Sequence, residues 1–326
     1  MNDLLEIVKR RFDGRRVAVL GDAVADQFLS GTISRVSREA PVFILRHDET
    51  ITLPGAAANA AANVASLGGK ATLVGSIGDD ANGSKLTASL SEHGIEWTGV
   101  TGPGLTTATK VRVLAGQHYA ARQQVIRIDY EPSSPVLADA AASLRRAALD
   151  AISCADAVIV SDYGYGAVSP ELFTDAVNAA NERGIPLIVD SRYRLAELKG
   201  ATTATPNREE VEAIVRGPLT DESCESLRTT MGLAALLVTN GNKGMTLFED
   251  GSEPFAINAV GPTEPVDVTG AGDTVIAAYA LSLASGMSFR DAATVANHAG
   301  GLVVMKKRTA TVTADELLDS LRSQGL

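Results

Sequence analysis

Cysteine is nearly missing from this sequence: Cys154 and Cys224 are the two in 326 residues. That excludes a disulfide framework and a cysteine-based metal site, and predicts two buried free thiols in a reducing compartment. The four histidines are scattered, so no histidine metal cluster is visible, and no Ser/His/Asp set accompanies a nucleophile elbow. No apolar run is long enough to cross a bilayer. Met1 to Arg11 mix acidic and basic residues and do not read as a signal peptide, so a cytoplasmic protein is expected. Internal repeats and low-complexity linkers are also absent. Positive charge is in deficit: 29 Lys and Arg against 39 Asp and Glu leave a net charge of −10. This argues against nucleic acid and anionic membrane as partners, while leaving room for a local basic pocket. Apolar residues are plentiful, at 45%, enough for a sizeable core and too many for a disordered chain. The length suits one large α/β domain or two smaller ones.

Arg16 to Leu20 is a short apolar run ending in Gly21-Asp22, a buried-strand pattern. Asp22 therefore sits at a strand's carboxyl end, where open α/β sheets hold ligands. It reads either as a ligand contact or as an Asx turn closing the strand; Asp26 follows four residues on. Residues 28–46 alternate loosely around Gly31 and Pro41, and residues 106–130 do so on either side of a Gly116-Gln117-His118-Tyr119 turn. Both read as strands of a peripheral sheet, a lid of about residues 24–46 and 106–130 that would exclude water from an acceptor site. Gly55 to Leu67 reads as a tightly packed helix of small residues with glycine at its N-terminus and Gly68-Gly69 at its C-cap. Asp79 and Asp80 read as caps of the next helix. Strands at 71–75, 155–160, 185–189 and 234–238 alternate with helices at 138–153, 170–183 and 289–305. Such alternation predicts a mainly parallel, doubly wound sheet.

The sequence is organised around Asp267-Val268-Thr269-Gly270-Ala271-Gly272-Asp273. Pro265 keeps the preceding residues extended, and Thr274 to Ser285 reads as a buried helix. Two glycines and a small residue thus occupy a strand-to-helix turn whose free N–H groups attract anions. One reading is an anion hole for a transferring phosphoryl group, with Asp273 as the base that takes a hydroxyl proton. The other is a capped helix in which Asp273 merely complements the helix dipole.

This stretch resembles the D-T-G-A-G-D element of the ribokinase-like (PfkB) sugar kinases. Pro54-Gly55-Ala56-Ala57-Ala58-Asn59 is similar to that family's N-terminal motif, a glycine-rich stretch followed by Asn. The resemblance covers nearly the whole chain. It implies a ribokinase-like fold, one doubly wound α/β domain over residues 1–326 with a mainly parallel sheet and a small β lid. The implied activity is transfer of the ATP γ-phosphoryl group to a sugar hydroxyl, with Mg²⁺. Asp273 would accept the hydroxyl proton, and the backbone N–H groups of Gly270, Ala271 and Gly272 would stabilise the transferring group. Asp22, Asp26, Gly55, Asn59 and Arg192 would hold the sugar. Asn207, Thr239, Gly241, Gly244 and Asn297 would hold the nucleotide, Thr239 to Gly244 resembling the family's T-x-G-x-x-G cradle. Asn207 and Glu210 match its N-x-x-E, implying that Glu210 orders Mg²⁺ through water, in keeping with an ion that retains its waters. The structural alternatives are a capping box for Asn207 and Glu210 and simple packing for Asn297.

Ser34 to Val42, Gln123 to Asp129, Ser161 to Gly164 and Val266 to Ile276 resemble the heptose 7-phosphate kinases of that family. This implies the anomeric hydroxyl of D-glycero-β-D-manno-heptose 7-phosphate as acceptor. Arg35, Arg38, Lys110, Arg112 and Arg122 are candidates to hold its phosphate, or else solvated surface. Three departures stand out: Ala56 for the second glycine of a usual pair, Gln27 where Arg often follows the aspartate, and extra lid residues around Gly116 to Arg122. The alternatives are a kinase for a ketohexose or pentose, and a catalytically silent binding module on the same fold, against which the presence of Asp273 argues. Such kinases are often fused to a nucleotidyltransferase domain; the sequence ends at Leu326 without one, so a separate protein is expected to supply that step. Lid strands of the family often pair between subunits, which makes a homodimer through the lid a further expectation.

Overall fold

The computed structural model describes residues 2–102, 104–117, 122–132, 138–262 and 264–324. The amino-terminal part runs α1 (Asn2–Arg11), β1 (Arg16–Gly21), β2 (Ala23–Val36), β3 (Phe43–Ala56), α2 (Ala57–Ser66), β4 (Lys70–Val74), β5 (Ser76–Gly78) and α3 (Ala81–Glu92). The middle runs β6 (Glu96–Trp97), β7 (Val100–Gly102), β8 (Ala108–Gly116), β9 (Gln123–Tyr130), α4 (Ala138–Ser153), β10 (Ala157–Asp162), α5 (Pro170–Arg183) and β11 (Leu187–Ser191). The rest comprises β12 (Thr203–Ala204), α6 (Arg208–Val215), α7 (Asp221–Met231), β13 (Ala235–Thr239), β14 (Met245–Glu249), β15 (Phe255–Ile257), α8 (Ala271–Ala284), α9 (Phe289–Val303) and α10 (Ala314–Ser323).

Among the described residues, nine strands form the main sheet in the order β15-β14-β13-β12-β11-β10-β1-β4-β6. β13 through β6 pair in parallel, and β14 and β15 add an antiparallel edge. Helices cover both faces, so the central strands are apolar on both sides. In β1, Val17 and Val19 enter one core with residues of α2, α8 and α9, while Ala18 and Leu20 enter the other with α4, α5 and α7. Parallel strands end on the same side, so Asp22, Asp162, Ser191 and Thr239 line one edge of the sheet. The doubly wound, mainly parallel architecture expected from the strand–helix alternation is the one observed.

The second sheet, β3-β2-β8-β9, lies over that edge. β2 and β3 form a long antiparallel pair, β2 joins β8 in parallel, and β8 pairs antiparallel with the fully exposed β9. This is the expected small lid, but its first arm is longer than expected: β3 continues to Ala56 and runs directly into α2. Gly55 and Ala56 thus end a strand instead of opening the helix. Residues 118–121 of the lid turn lie outside the described residues. Ala56 has φ 54°, a left-handed value that explains why glycine is usual at this position. Asp80 caps α3 as expected, accepting from the Gly83 N–H at 2.8 Å. Of the two cysteines, Cys224 is buried but Cys154 is exposed, correcting the expectation of two buried thiols. Among the described residues, no helix is long and apolar enough to cross a membrane.

Candidate active site

Gly270 caps α8 at φ 77°, and Asp273 follows in the first turn with 4% exposure. A Cβ on Gly270 would lie 2.4 Å from the Asn59 side-chain amide, so this turn accepts only glycine. Asn59 Nδ2 donates to Asp273 Oδ2 at 2.8 Å, and the Tyr163 hydroxyl donates to Asp273 Oδ1 at 2.8 Å. Asn59 is itself braced by Asn63, which Thr274 and the Val312 N–H hold in turn. Burial pushes the Asp273 carboxyl up to about 6; the bonds from Asn59 and Tyr163 pull it down, Asp26 pushes it up and Lys110 pulls it down. A carboxyl poised there is charged at neutral pH yet basic enough to take a proton. The Ala271 N–H, expected in the anion hole, instead donates to the Val268 carbonyl at 3.2 Å. The N–H groups of Val268, Gly270, Gly272 and Asp273 meet no acceptor among the described residues.

Beneath the lid, Asp26 accepts from Arg112 at 2.6 Å and from Thr309 at 2.8 Å. Gly55 lies against it, since a Cβ there would come within 2.8 Å of the Asp26 carboxyl carbon. Thr309 belongs to the loop after α9. The Arg308 N–H of that loop reaches Asp267, and its guanidinium reaches Glu49 of β3. Asp22 closes no local Asx turn: its carboxylate accepts the N–H groups of Tyr163, Tyr165 and Ala167 at 2.7, 3.1 and 3.0 Å. It braces the loop after β10. Lys110 of β8 is 9% exposed and lies over the rings of Tyr163 and Tyr165, 5.0 and 5.7 Å from their centroids. Its ammonium has no hydrogen bond or ion pair among the described residues. Burial pulls its pKa below the ordinary lysine value, with Asp26 pushing it back up.

On the other side of α8, Thr239, Gly241, Gly244 and Asn297 line an apolar pocket of about 190 Å³ that also touches Ala271 and Gly272. Two of them carry structural duties as well. Asn297 donates to the Asn258 carbonyl at 2.8 Å, and a Cβ on Gly244 would lie 1.9 Å from the Ile257 carbonyl oxygen. Next to this pocket, a cleft of about 460 Å³ brings together Tyr163, Asp190, Arg192, Asn207, Glu210 and Gly272. Asn207 and Glu210 form the full capping box of α6, each side chain accepting the other's backbone N–H at 2.9 Å. Arg192 is exposed and stacks on Tyr193. Burial and the charges of Glu210, Asp273 and Asp162 push the Asp190 carboxyl well above the usual carboxylate range. The Asp190 side chain has no hydrogen bond among the described residues, which contain no cluster of three His, Cys, Asp or Glu able to hold a metal directly. A hydrated divalent cation suits this arrangement, because hard oxygens surround a cleft wide enough for its waters and its charge would offset the mutual repulsion.

The fold therefore gathers Asp26, Gly55, Asn59 and Asp273 on one side of the turn and the nucleotide candidates on the other. Tyr163 and Asp190 are additions to the residues expected from sequence, although both stand at the carboxyl ends of parallel strands, as Asp22 does. Thr309 carried no local signal.

Residues 16–316 match the profile described as pfkB family carbohydrate kinase. The bifunctional protein HldE of Caulobacter vibrioides is 41% identical across 97% of this chain, and that of Caulobacter sp. is 42% identical across 98%. The chain spans 65% of the length of each of these relatives. Phosphofructokinase-2 of Escherichia coli, solved with substrates and products, superposes with a TM-score of 0.78 at 20% identity, covering 96% of this chain and 100% of that one. Arabidopsis thaliana ribokinase, solved with ribose and ATP, gives 0.72 at 22% identity, covering 95% and 99%. These two likenesses concern the fold, which is ribokinase-like. With the match over residues 16–316 and the two relatives above 40% identity, the chain belongs to the pfkB family of carbohydrate kinases.

Proposed function

We propose that this protein transfers the γ-phosphoryl group of ATP to the anomeric hydroxyl of D-glycero-β-D-manno-heptose 7-phosphate. The observation that carries the kinase reading is Asp273, a buried carboxylate poised near pH 6 in the first turn of a glycine-capped helix whose Gly272 lines the pocket around Gly241. The sugar enters beneath the lid against Asp26 and Asn59, and the nucleotide occupies the pocket around Gly241 and Asn297. Asp273 takes the acceptor's proton as the new O–P bond forms. The N–H groups of Gly270, Gly272 and Asp273 face the transferring group, where preorganised donors stabilise developing charge. Asp190 and Glu210 would hold Mg²⁺ through its waters, and the ion supplies charge neutralisation between the phosphates.

The choice of heptose phosphate rests on the resemblance of residues 34–42, 123–129, 161–164 and 266–276 to kinases of that sugar. Local cations support it. Arg35 and Arg38 are exposed, Arg122 pairs with Asp48 and Glu49, and Arg112 is committed to Asp26. Lys110 remains, a desolvated ammonium suited to a phosphate dianion. The same reading puts a second copy of the chain on the outer face of the lid, where Val36, Phe43, Val125, Ile126, Ile128 and Tyr130 are exposed. The test is kcat/KM for heptose 7-phosphate beside the unphosphorylated heptose and fructose at two salt concentrations. The phosphorylated sugar should win by well over tenfold, with salt narrowing the gap by screening. A neutral sugar preferred at both salts would leave a kinase for another sugar, and no transfer to any sugar would overturn the kinase reading.

A further inference from the structure

Tyr163 touches the reacting carboxylate yet has no part in the transfer described above. We propose that Tyr163 is a positioning residue whose hydroxyl aims the Asp273 carboxylate at the acceptor and favours its charged form. The inference rests on Asp273 being the base, and deepens that reading.

The geometry is a two-point clamp. Tyr163 donates to Oδ1 and Asn59 to Oδ2, both at 2.8 Å, so each oxygen is held by one donor and keeps a lone pair for an incoming hydroxyl. The phenol is pushed well above its ordinary value, by burial first and by the Asp273 charge next, so it stays a donor throughout. Tyr163 is also fixed at its backbone. Its N–H and those of Tyr165 and Ala167 bind Asp22, while Arg194 grips both oxygens of the preceding Asp162 and Ser191 donates to one of them. The Lys110 ammonium lies over the ring. A ring anchored in this way cannot follow the carboxylate if it turns, so the carboxylate adopts the orientation that the hydroxyl dictates. The charged groups facing Asp273 are Asp26 of β2, Lys110 of β8 and Asp190 of β11, with Arg112 beyond Asp26. Removing the phenolic oxygen leaves all of them in place and deletes one hydrogen bond to a charged acceptor.

Losing such a bond raises a carboxylate's pKa, here by about one unit. The test uses the full chain with carboxyl-¹³C aspartate, the resonance missing from Asp273→Asn giving the assignment. The Asp273 midpoint should lie near 6 in the wild type. It should rise by about one unit in Tyr163→Phe and fall when 3,5-difluorotyrosine, a stronger donor, is installed at 163. The acid limb of kcat/KM with ATP and heptose 7-phosphate should move in the same directions, so that Tyr163→Phe loses far more activity at pH 6 than at pH 8.5. The fluorinated side chain keeps the ring and hydroxyl, so its result stands even if the phenylalanine variant fails to fold. Midpoints that do not move, with Asp273→Asn inactive, overturn the role of Tyr163 and leave the base reading intact. An Asp273→Asn variant that still turns over overturns both.

Discussion

Replacing Asp273 by asparagine should stabilise the protein at neutral pH while it abolishes turnover. The folded-state carboxyl stands at about 6 against an ordinary 3.8, so the folded protein binds this proton more tightly than the unfolded chain does. The group's favourable contribution is therefore complete below 3.8 and is lost as pH rises through 6. The whole shift, about two units, corresponds to ~3 kcal/mol. At 4% exposure, solvent screening removes little of it. The amide keeps the shape, its carbonyl accepting from Asn59 and its NH₂ donating to the Tyr163 hydroxyl, so the variant escapes the cost of burying charge. Integrating the linkage gives the variant an advantage of ~1.6 kcal/mol at pH 5 and ~3 kcal/mol at pH 8. At ~2.1 cal/mol/K per residue, a chain of 326 residues unfolds with ~0.7 kcal/mol/K, so the Tm gap should widen from about 2 °C to about 4 °C. Differential scanning calorimetry of both proteins at pH 5, 6.5 and 8 measures it. A gap that does not change with pH, or a variant less stable at pH 8, refutes the reasoning.

Three further outcomes are expected. Glu210→Gln should raise the Mg²⁺ concentration for half-maximal rate several-fold, because the charge ordering the metal's waters is lost; an unchanged Mg²⁺ titration would leave Glu210 as a helix cap alone. Lys110→Gln should lower kcat/KM for heptose 7-phosphate by about tenfold or more and that for a neutral sugar much less; equal losses would remove Lys110 from the phosphate contact. Gly244→Ala should cost ~2 kcal/mol or more in urea unfolding, since its Cβ would collide with the Ile257 carbonyl and its φ is +91°; a variant of wild-type stability would contradict that contact.

The core of this fold was legible because its strands are short, apolar and separated by well-capped helices. The helices expected at 138–153 and 170–183 have those bounds, the second with Ser169, Pro170 and Gly184 marking its ends. The glycine turn before α8 was legible for a similar reason, since local backbone geometry demands its residues. The lid was seen only in outline, because the β3 residues alternate weakly and nothing local marks where a strand stops and α2 begins. Asp22 shows the limit most clearly. Its position at a strand end was correct, but its partners are backbone groups about 140 residues away, which no local pattern announces. Tyr163 owes its place to that same pairing, and Thr309 is tied to Asp26 across an even longer stretch of sequence.

One residue, Asp22, separates the core strand β1 from the lid strand β2. A lid joined in this way has no linker to absorb slack, so its movement is that of a lever about a fixed fulcrum. β2 has 14 residues and extends about 46 Å at ~3.3 Å per residue. Tilting it by about 5° carries the far rim through about 4 Å but moves Asp26, four residues out, by only about 1 Å. The mouth can therefore widen while the Asp26 carboxylate stays almost where it was.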